Sequence, residues 1–576
     1  MKSTRKKSLL LINGFGSPMA IINEFLSNSA TDSNIYLSYP LSVLTLAGWC
    51  RQEFPNFDIQ IVDAMMDLHK HISNPDREPI SVDSFLANML DQVNFIPDFI
   101  GISICFSNGN KACLQLCRLC RDKWPKAKII AGGVHATTFT HRLITNPHID
   151  YVVRGAGDIA FVDLLDCLLE NRQPGHIPGV VTSMEDLSSK ALPLDDLDKI
   201  PPYPYDLIDM EYLVVNESTN PLYEKGTRTG IIFMSRCCIF GCTFCAADKV
   251  HGRKVYFKSL DRIIDEIDYL INNYGVNTIN IIDDLFGADK EYFYGFFKKI
   301  KERELKFKLV IPAGLSIAIF NEEMIDVLIE HGLNAVNFPL ESGSKFVQNN
   351  IMKKRVDLDK AVRLINYTKQ KGLFIGINII LGFPGETKAL IYETYEFIKK
   401  LPVDWISFFA AYPYPETVMT NILLDRGAIT EDGLIEIWDS STQGFKKRPF
   451  DIQEISGQEL TDLIYDFNIE LNFFSNYNIR TKKYSDILIK LDKVIQRYPF
   501  HIVALACRAK CYHELGQQDK AFNDITKIID QINKNPESQK LLKRYGGRIQ
   551  ETLDFASSLA ELSMIFPGER NEKIAI

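Results

Sequence analysis

The sequence predicts an α/β protein in three parts. These are an N-terminal doubly wound, Rossmann-like domain over residues 1–185, a central partial (β/α)6 barrel of the TIM type over 226–430, and an all-α region over 431–576. Three observations carry this expectation. Short β-branched runs alternate with helical patterns in two separate series, the alternation stops after Leu424, and from Tyr484 the apolar spacing is helical. At 576 residues the chain is too long for one hydrophobic core.

Composition narrows the function classes. Apolar content of 46% and charge of 24% are those of a soluble globular chain, and a net charge of −8 lacks the basic footprint of a nucleic-acid binder. The first apolar run, Leu9–Ile12, is too short for a secretory segment. No stretch reaches the roughly 18 apolar residues of a spanning helix, and the longest candidate, Phe374–Phe383, contains Gly and Asn. A cytoplasmic protein is expected, with neither membrane nor nucleic acid as partner. Its 12 cysteines are then reduced and available to metal.

In the first series, strands are expected at residues 8–12, 57–62, 99–104, 128–131 and 151–153. Ligands of such sheets bind beyond the carboxyl ends of the strands. The loops there contain Asn13-Gly-Phe-Gly, Ser103, Gly132-Gly133 and Arg154-Gly-Ala-Gly, several of them bare of side chains so that backbone can approach a large ligand. Cys113, Cys117 and Cys120 show a C-x3-C-x2-C spacing in a strongly helical setting. On a helix such residues spread along about 10 Å of axis, so these read as packing cysteines. His69 reads as part of a surface loop. Residues 186–225, rich in Pro, Asp and Tyr, read as a semi-rigid linker.

The same spacing recurs at Cys238, Cys242 and Cys245, now with Gly241 permitting a tight loop directly after the strand expected at 230–234. Three thiolates imply a metal. A zinc site completed by His251 or Cys237 and an iron–sulfur cube with one open corner both fit the spacing. Further strands are expected at 276–282, 306–311, 335–340, 374–381 and 405–410, with a helix over 259–274 that Ser259 starts and Gly275 stops. Active sites of such folds lie at the carboxyl ends of the strands. Asp283-Asp284, Glu341-Ser342, Gly382-Phe-Pro-Gly-Glu and Tyr412-Pro-Tyr-Pro-Glu follow successive strands there.

The cysteine loop at the head of a barrel, preceded by the glycine-bearing sheet domain, resembles the cobalamin (B12)-binding class of the radical S-adenosylmethionine (SAM) superfamily. The resemblance covers about three-quarters of the chain. It implies that Cys238, Cys242 and Cys245 hold a [4Fe–4S] cluster whose open iron chelates SAM, with Phe244 beside the adenine and Asp283, Asp284, Glu341, Ser342 and Gly382 as candidates to orient SAM. Ser103, Gly132, Gly133, Thr137 and Gly155 then hold cobalamin, with no histidine after the first strand to ligate cobalt. The family usually has Gly before the first cysteine and Pro after it; here these are Cys237 and Ile239.

The implied activity is reductive cleavage of SAM, most readily for methyl transfer to an unactivated carbon of a small molecule or natural-product intermediate. Oxidative cyclisation or rearrangement occurs on the same framework, and a helical-repeat adaptor without chemistry is the reading from another class. An electron donor such as a flavodoxin or ferredoxin is implied. In the C-terminal region Ala506, Ala509, Tyr512, Gly516, Ala521, Ile525 and Pro536 resemble one tetratricopeptide (TPR) repeat, a barrel cap or a docking site for a carrier protein or peptide.

Overall fold

The computed structural model describes residues 6–27, 35, 37–217, 226–440 and 447–556, with the side chains of residues 251, 439 and 440 outside that description. The zinc reading through His251 therefore falls outside the described residues, as do 218–225 of the expected linker and 557–576. Among the described residues no helix is long and apolar enough to cross a membrane.

The first series folds into one six-stranded sheet. Its strands are β1 (Ser8–Asn13), β2 (Asp58–Asp63), β3 (Phe99–Ser103), β4 (Lys128–Gly132), β5 (Tyr151–Val153) and β6 (Val180–Val181), in the order β2-β1-β3-β4-β5-β6. All pairings are parallel except that of β6. Five of the strands lie where their β-branched runs put them, whereas the two-residue β6 has no periodicity to read. Helices cover both faces, so Leu9, Leu10, Leu11 and Ile12 are all fully buried and the strand reads as an unbroken apolar run. Chain order reverses between β1 and β3, which opens a cleft above the strands' carboxyl ends.

Two expectations are corrected here. Asp63 accepts hydrogen bonds from the backbone N–H of Met65 and Met66, so a helix, Ala64–Ser73, begins immediately after β2. His69 sits on that helix, not on a surface loop, with its Nδ1 2.7 Å from the Tyr212 hydroxyl. The stretch expected as a linker is packed, burying Leu197, Ile200, Tyr205 and Leu213 and forming the helix Met210–Asn216. Its prolines stiffen the backbone while the apolar residues between them fill core positions. Cys113, Cys117 and Cys120 lie on the helix Asn110–Lys123 and are fully buried, and Cys113 Sγ accepts the Phe15 N–H.

The second series continues with β7 (Thr229–Ile232), β8 (Ser235–Arg236), β9 (Tyr256–Phe257), β10 (Thr278–Ile281), β11 (Lys308–Val310), β12 (Ala335–Glu341), β13 (Phe374–Leu381) and β14 (Trp405–Ala410). Two parallel three-stranded sheets result, β11-β10-β7 and β12-β13-β14, with β8 and β9 as a separate antiparallel hairpin. The sheets meet where Leu315 N–H, just after β11, donates to the Asn337 carbonyl of β12 at 2.8 Å. Helices pack outside, among them Leu260–Tyr274, which ends at Gly275 in the left-handed conformation (φ +60°). Along β12 to β14 the outward residues Phe338, Ile377 and Ile406 are buried, and alternate residues face an interior space.

The free edge of β14 is closed by side chains from the chain's later helices. Asn472 accepts from the Ile406 N–H at 2.8 Å and donates to the Ile406 carbonyl at 2.7 Å, as a neighbouring strand would. Asn476 and Asn478 add bonds to the carbonyl and carboxylate of Asp404. An uncovered edge is a liability for aggregation, and these amides satisfy it. The helices Tyr484–Arg497, Ile502–Glu514, Gln518–Lys534 and Pro536–Thr552 then share a hydrophobic core of their own. Replacing Asn472 with Leu strands two buried backbone groups, at an expected cost of about 2–4 kcal/mol. Calorimetry should show the first unfolding transition lowered by several degrees; an unchanged transition would mean that water satisfies the edge.

Candidate active site

The three cysteines lie on a loop whose ends are pinned by the β8–β9 hairpin, with Ser235 opposite Phe257 and Arg236 opposite Tyr256. Two carboxylates at the end of β10 hold its start. Asp283 accepts from Met234 N–H at 2.7 Å and Ser235 hydroxyl at 2.6 Å, and Asp284 accepts from Cys237 N–H at 3.1 Å. Burial pushes the Asp283 carboxyl up to about 6 against the pull of those bonds. Cys237 is fully buried and adopts φ +82°, a conformation natural to glycine. The backbone need is thus the one that glycine meets in the family, with a buried thiol in its place.

Cys238 and Cys242 are partly accessible and Cys245 is exposed. Burial of their surroundings raises all three thiols, Cys242 to about 11, and one cation counters it in each case. That cation is Lys354, whose ammonium is 2.9 Å from the Glu341 carboxylate and 2.6 Å from the Pro339 carbonyl. Among the described residues no three His, Cys, Asp or Glu side chains converge on one ion position. A cube takes its thiolates at separate iron corners, spreading them wider than ligands around a single ion, and the donor set fits that group.

A cavity of about 530 Å³ opens beside the loop, lined by Phe244, Cys245, Asp284, Glu341, Asn378 and Tyr414 among others. Glu341 has φ +68°, strain of the kind that collects at functional sites. Phe244 is braced edge-on by Phe383, their rings 5.6 Å apart. The other expected residues lie behind the wall. Asp283 faces the loop backbone; Ser342 is fully buried, its hydroxyl 2.9 Å from that of Thr394. Gly382 has φ +86° and no room for a Cβ, which would fall 2.3 Å from Leu460. Its N–H donates to Glu386 at 2.6 Å and its carbonyl accepts from Arg448 at 2.7 Å. These groups shape the cavity without lining it.

A second cavity, about 210 Å³, runs along the first sheet and is lined by Ser103, Gly132, Gly133, Gly155, Asp158 and Arg236 among others. A Cβ on Gly132 would meet nothing closer than 3.9 Å, so the missing side chain leaves open space for a ligand. Thr137 does not line it; its hydroxyl accepts from Gly155 N–H at 2.9 Å and donates to the Gly133 carbonyl at 2.9 Å, tying two cavity loops together. Asp158 is buried, with one carboxylate oxygen bound to Arg236 at 2.8 Å and the other without a hydrogen-bond partner among the described residues. The cradle and this orphaned oxygen fit a ligand tail rich in hydroxyl and amide groups, as the nucleotide end of cobalamin is.

The two cavities adjoin. Val134 and Val250 line both, and Val250 lies in the short helix Ala247–His251 that follows the cysteines. Arg154, bonded to the Thr137 and Leu187 carbonyls, pairs with Glu416 beyond β14 at 2.6 Å. These features define a two-cofactor α/β enzyme, with a nucleotide-tail pocket and a three-thiolate site opening on one space. Residues 36–165 match the B12 binding domain family and residues 232–398 the Radical SAM superfamily. The chain is 26% identical to cytidylyl-2-hydroxyethylphosphonate methyltransferase of Streptomyces wedmorensis over 66% of its own length and 75% of that protein's. Its fold is similar to that of the radical SAM methyltransferase TsrM of Kitasatospora setae, with TM-score 0.55, 16% identity, and 74% and 77% of the two chains covered. The cobalamin-dependent radical enzyme OxsB matches with TM-score 0.54 at 15% identity, over 96% of this chain and 75% of that one. The chain joins a B12 binding domain to a radical SAM domain, and its cofactors are a [4Fe–4S] cluster, SAM and cobalamin.

Sequence reasoning missed Lys354, Arg236, Asp158 and Asn378. A lysine after a surface helix and an arginine before a cysteine pair have no spacing that marks them. Asp158 directly follows the Arg154-Gly-Ala-Gly loop, and its burial against Arg236 is what gives it weight. Cys238→Ala should abolish iron loading, whereas Cys237→Ala should retain it; normal iron content in Cys238→Ala would exclude the assignment.

Glu386 supplies a pH test. Burial pushes its carboxyl up to about 7, against the pull of the Phe383 and Gly382 N–H groups and the Arg448 charge. The folded acid keeps its proton to higher pH than the unfolded one. Its contribution is therefore fully present below about pH 4.5 and lost as pH rises through about 7. Stability of the wild type relative to Glu386→Gln should fall between pH 5 and 8 in parallel melts; a flat difference would mean that Arg448 keeps Glu386 ionised.

Proposed function

We propose that this enzyme methylates an unactivated carbon of a small molecule bound in the cavity beside Cys245. The observation that carries the reading is the sharing of Val134 and Val250 by the two cavities, which brings a cobalamin held against the first sheet to the mouth of the second series. Cys238, Cys242 and Cys245 hold the cluster, and Phe244, Asp284 and Glu341 contact SAM. Asp283, Ser342 and Gly382 position the walls. Ser103, Gly132, Gly133 and Gly155 cradle the cobalamin tail, with Thr137 fixing their loops. When bound, the cluster and SAM supply hydrogen abstraction and cobalamin supplies the methyl group.

The residues of the chain orient and shield. Lys354 and Glu341 neutralise one another at the cavity edge, so neither presents an uncompensated charge. Phe409, Tyr412 and Tyr414 wall the cavity, excluding water from the reacting carbon. We read the two three-stranded sheets as one partial barrel of six β/α units, residues 1–185 and 226–430 as the two catalytic domains, and the C-terminal helices as a TPR-like cap. An electron donor of the flavodoxin or ferredoxin kind completes the system.

Anaerobic reconstitution with iron, sulfide, cobalamin, SAM and a reductant tests this. Formation of both 5′-deoxyadenosine and S-adenosylhomocysteine is expected. 5′-Deoxyadenosine alone would favour cyclisation or rearrangement, and a protein that takes up neither cluster nor cobalamin would refute the enzyme reading.

A further inference from the structure

The interior space between β11 and β14 is not filled. A cavity of about 270 Å³ lies there, at the amino ends of the strands and opposite the cluster loop. Its walls carry Asn337, Asn378 and Ser407, whose side chains make no hydrogen bond among the described residues. Its floor is Lys490, which reaches in from the C-terminal helix Tyr484–Arg497, 4.9 Å from the Phe374 ring centroid and 6.0 Å from that of Trp405. Three polar side chains and an ammonium, all partly accessible, thus face one cavity and offer donors and acceptors to a polar ligand.

Charge identifies the ligand class. Lys490 has no ion pair among the described residues. The nearest acid, Asp404, is already committed to Lys369 at 2.6 Å, to Asn478 and to the Ile375 N–H. Burial, with the repulsion of Lys493, brings the Lys490 ammonium down to about 8, which still leaves it mostly cationic at neutral pH. Two aromatic faces and one cation suit a carboxylate or phosphate attached to carbon. Asn378 also lines the cluster-side cavity, so the two spaces adjoin at the middle of β13. From Phe374 to Ile380 the strand rises about 20 Å.

We propose that the floor of this lumen is an anion subsite, in which Lys490 holds the carboxylate or phosphate of an elongated small molecule whose other end reaches the cluster-side cavity. The inference deepens the small-molecule reading given above and extends it to a substrate class. It is tested by binding without turnover, so failure of the methyl-transfer chemistry and failure of this subsite are distinguishable.

The full chain, reconstituted with cluster and cobalamin, is titrated calorimetrically with methyl, butyl and octyl phosphate and with acetate, butyrate and octanoate. Affinity is expected to rise at least tenfold from the shortest to the longest member, as methylenes are buried along the lumen. Lys490→Met should weaken every member at least tenfold and Lys490→Arg less than threefold. Asn378→Phe, which obstructs the middle of the lumen, should weaken octyl but not methyl phosphate. Equal affinity across chain lengths, with Lys490 still required, would mean a site for a free small anion and would overturn the elongated ligand. No binding, or binding indifferent to Lys490, would overturn the subsite.

Discussion

The ion pair between Arg236 and Asp158 is the contact on which the rest of the arrangement turns. Its partners come from different domains, and both are largely buried, at 15% and 6% side-chain exposure. Breaking such a pair by removing one partner leaves a buried charge uncompensated, at a typical cost of about 3–5 kcal/mol. Arg236 directly precedes the cysteine loop and lines the cobalamin-side cavity, while Asp158 opens the helix Gly157–Leu169 behind β5. One bond therefore ties the start of the cysteine loop to the glycine-lined cavity of the first sheet. Arg154 with Glu416 makes a second tie on the far side of the mouth, and together the pairs resist rotation as well as separation.

Inside that frame the cluster loop is held by backbone bonds more than by packing. Asp283 and Asp284 take up the N–H groups of Met234 and Cys237, and Thr243 donates its own N–H to the Met352 carbonyl. These bonds fix the start and the middle of the loop that carries the thiols. Lys354 offsets the thiols and Glu341 at once, which lowers the cost of gathering several acidic groups beside one cavity. The strained φ of Cys237 and Glu341 is held by the Cys237 N–H bond to Asp284 and the Lys354 pair with Glu341.

Strand edges set the other constraint. The sheet β12-β13-β14 ends at β14, and an open edge inside a protein demands substitutes for the missing neighbour. Asn472, Asn476 and Asn478 supply them for β14, which binds the C-terminal helices to the sheet for a structural reason before any question of partners arises. Beside these strands a cavity of about 270 Å³ remains unfilled. Small and polar residues at Gly376, Asn378 and Ser407 keep it open.

Much of this was legible in the residues. The period-two and unbroken β-branched runs identified eleven strands, because burial on one or both faces selects side chains locally. The spacing of Cys238, Cys242 and Cys245 was legible because it is a local pattern of the sequence, set on a loop by Gly241. The identical spacing at Cys113, Cys117 and Cys120 could be set aside, because helix geometry separates those sulfurs. What the sequence by itself determined was therefore local: the elements, the spacing of the cysteine loop and the glycines at the strand ends. Only the tertiary structure decided that Ser342 and Gly382 shape the wall from behind, that Lys354 serves the thiols, that Asp158 meets Arg236 and that asparagines complete a sheet edge. Those roles depend on neighbours tens to hundreds of residues away, and a single side chain has no local pattern that records which distant group it will meet.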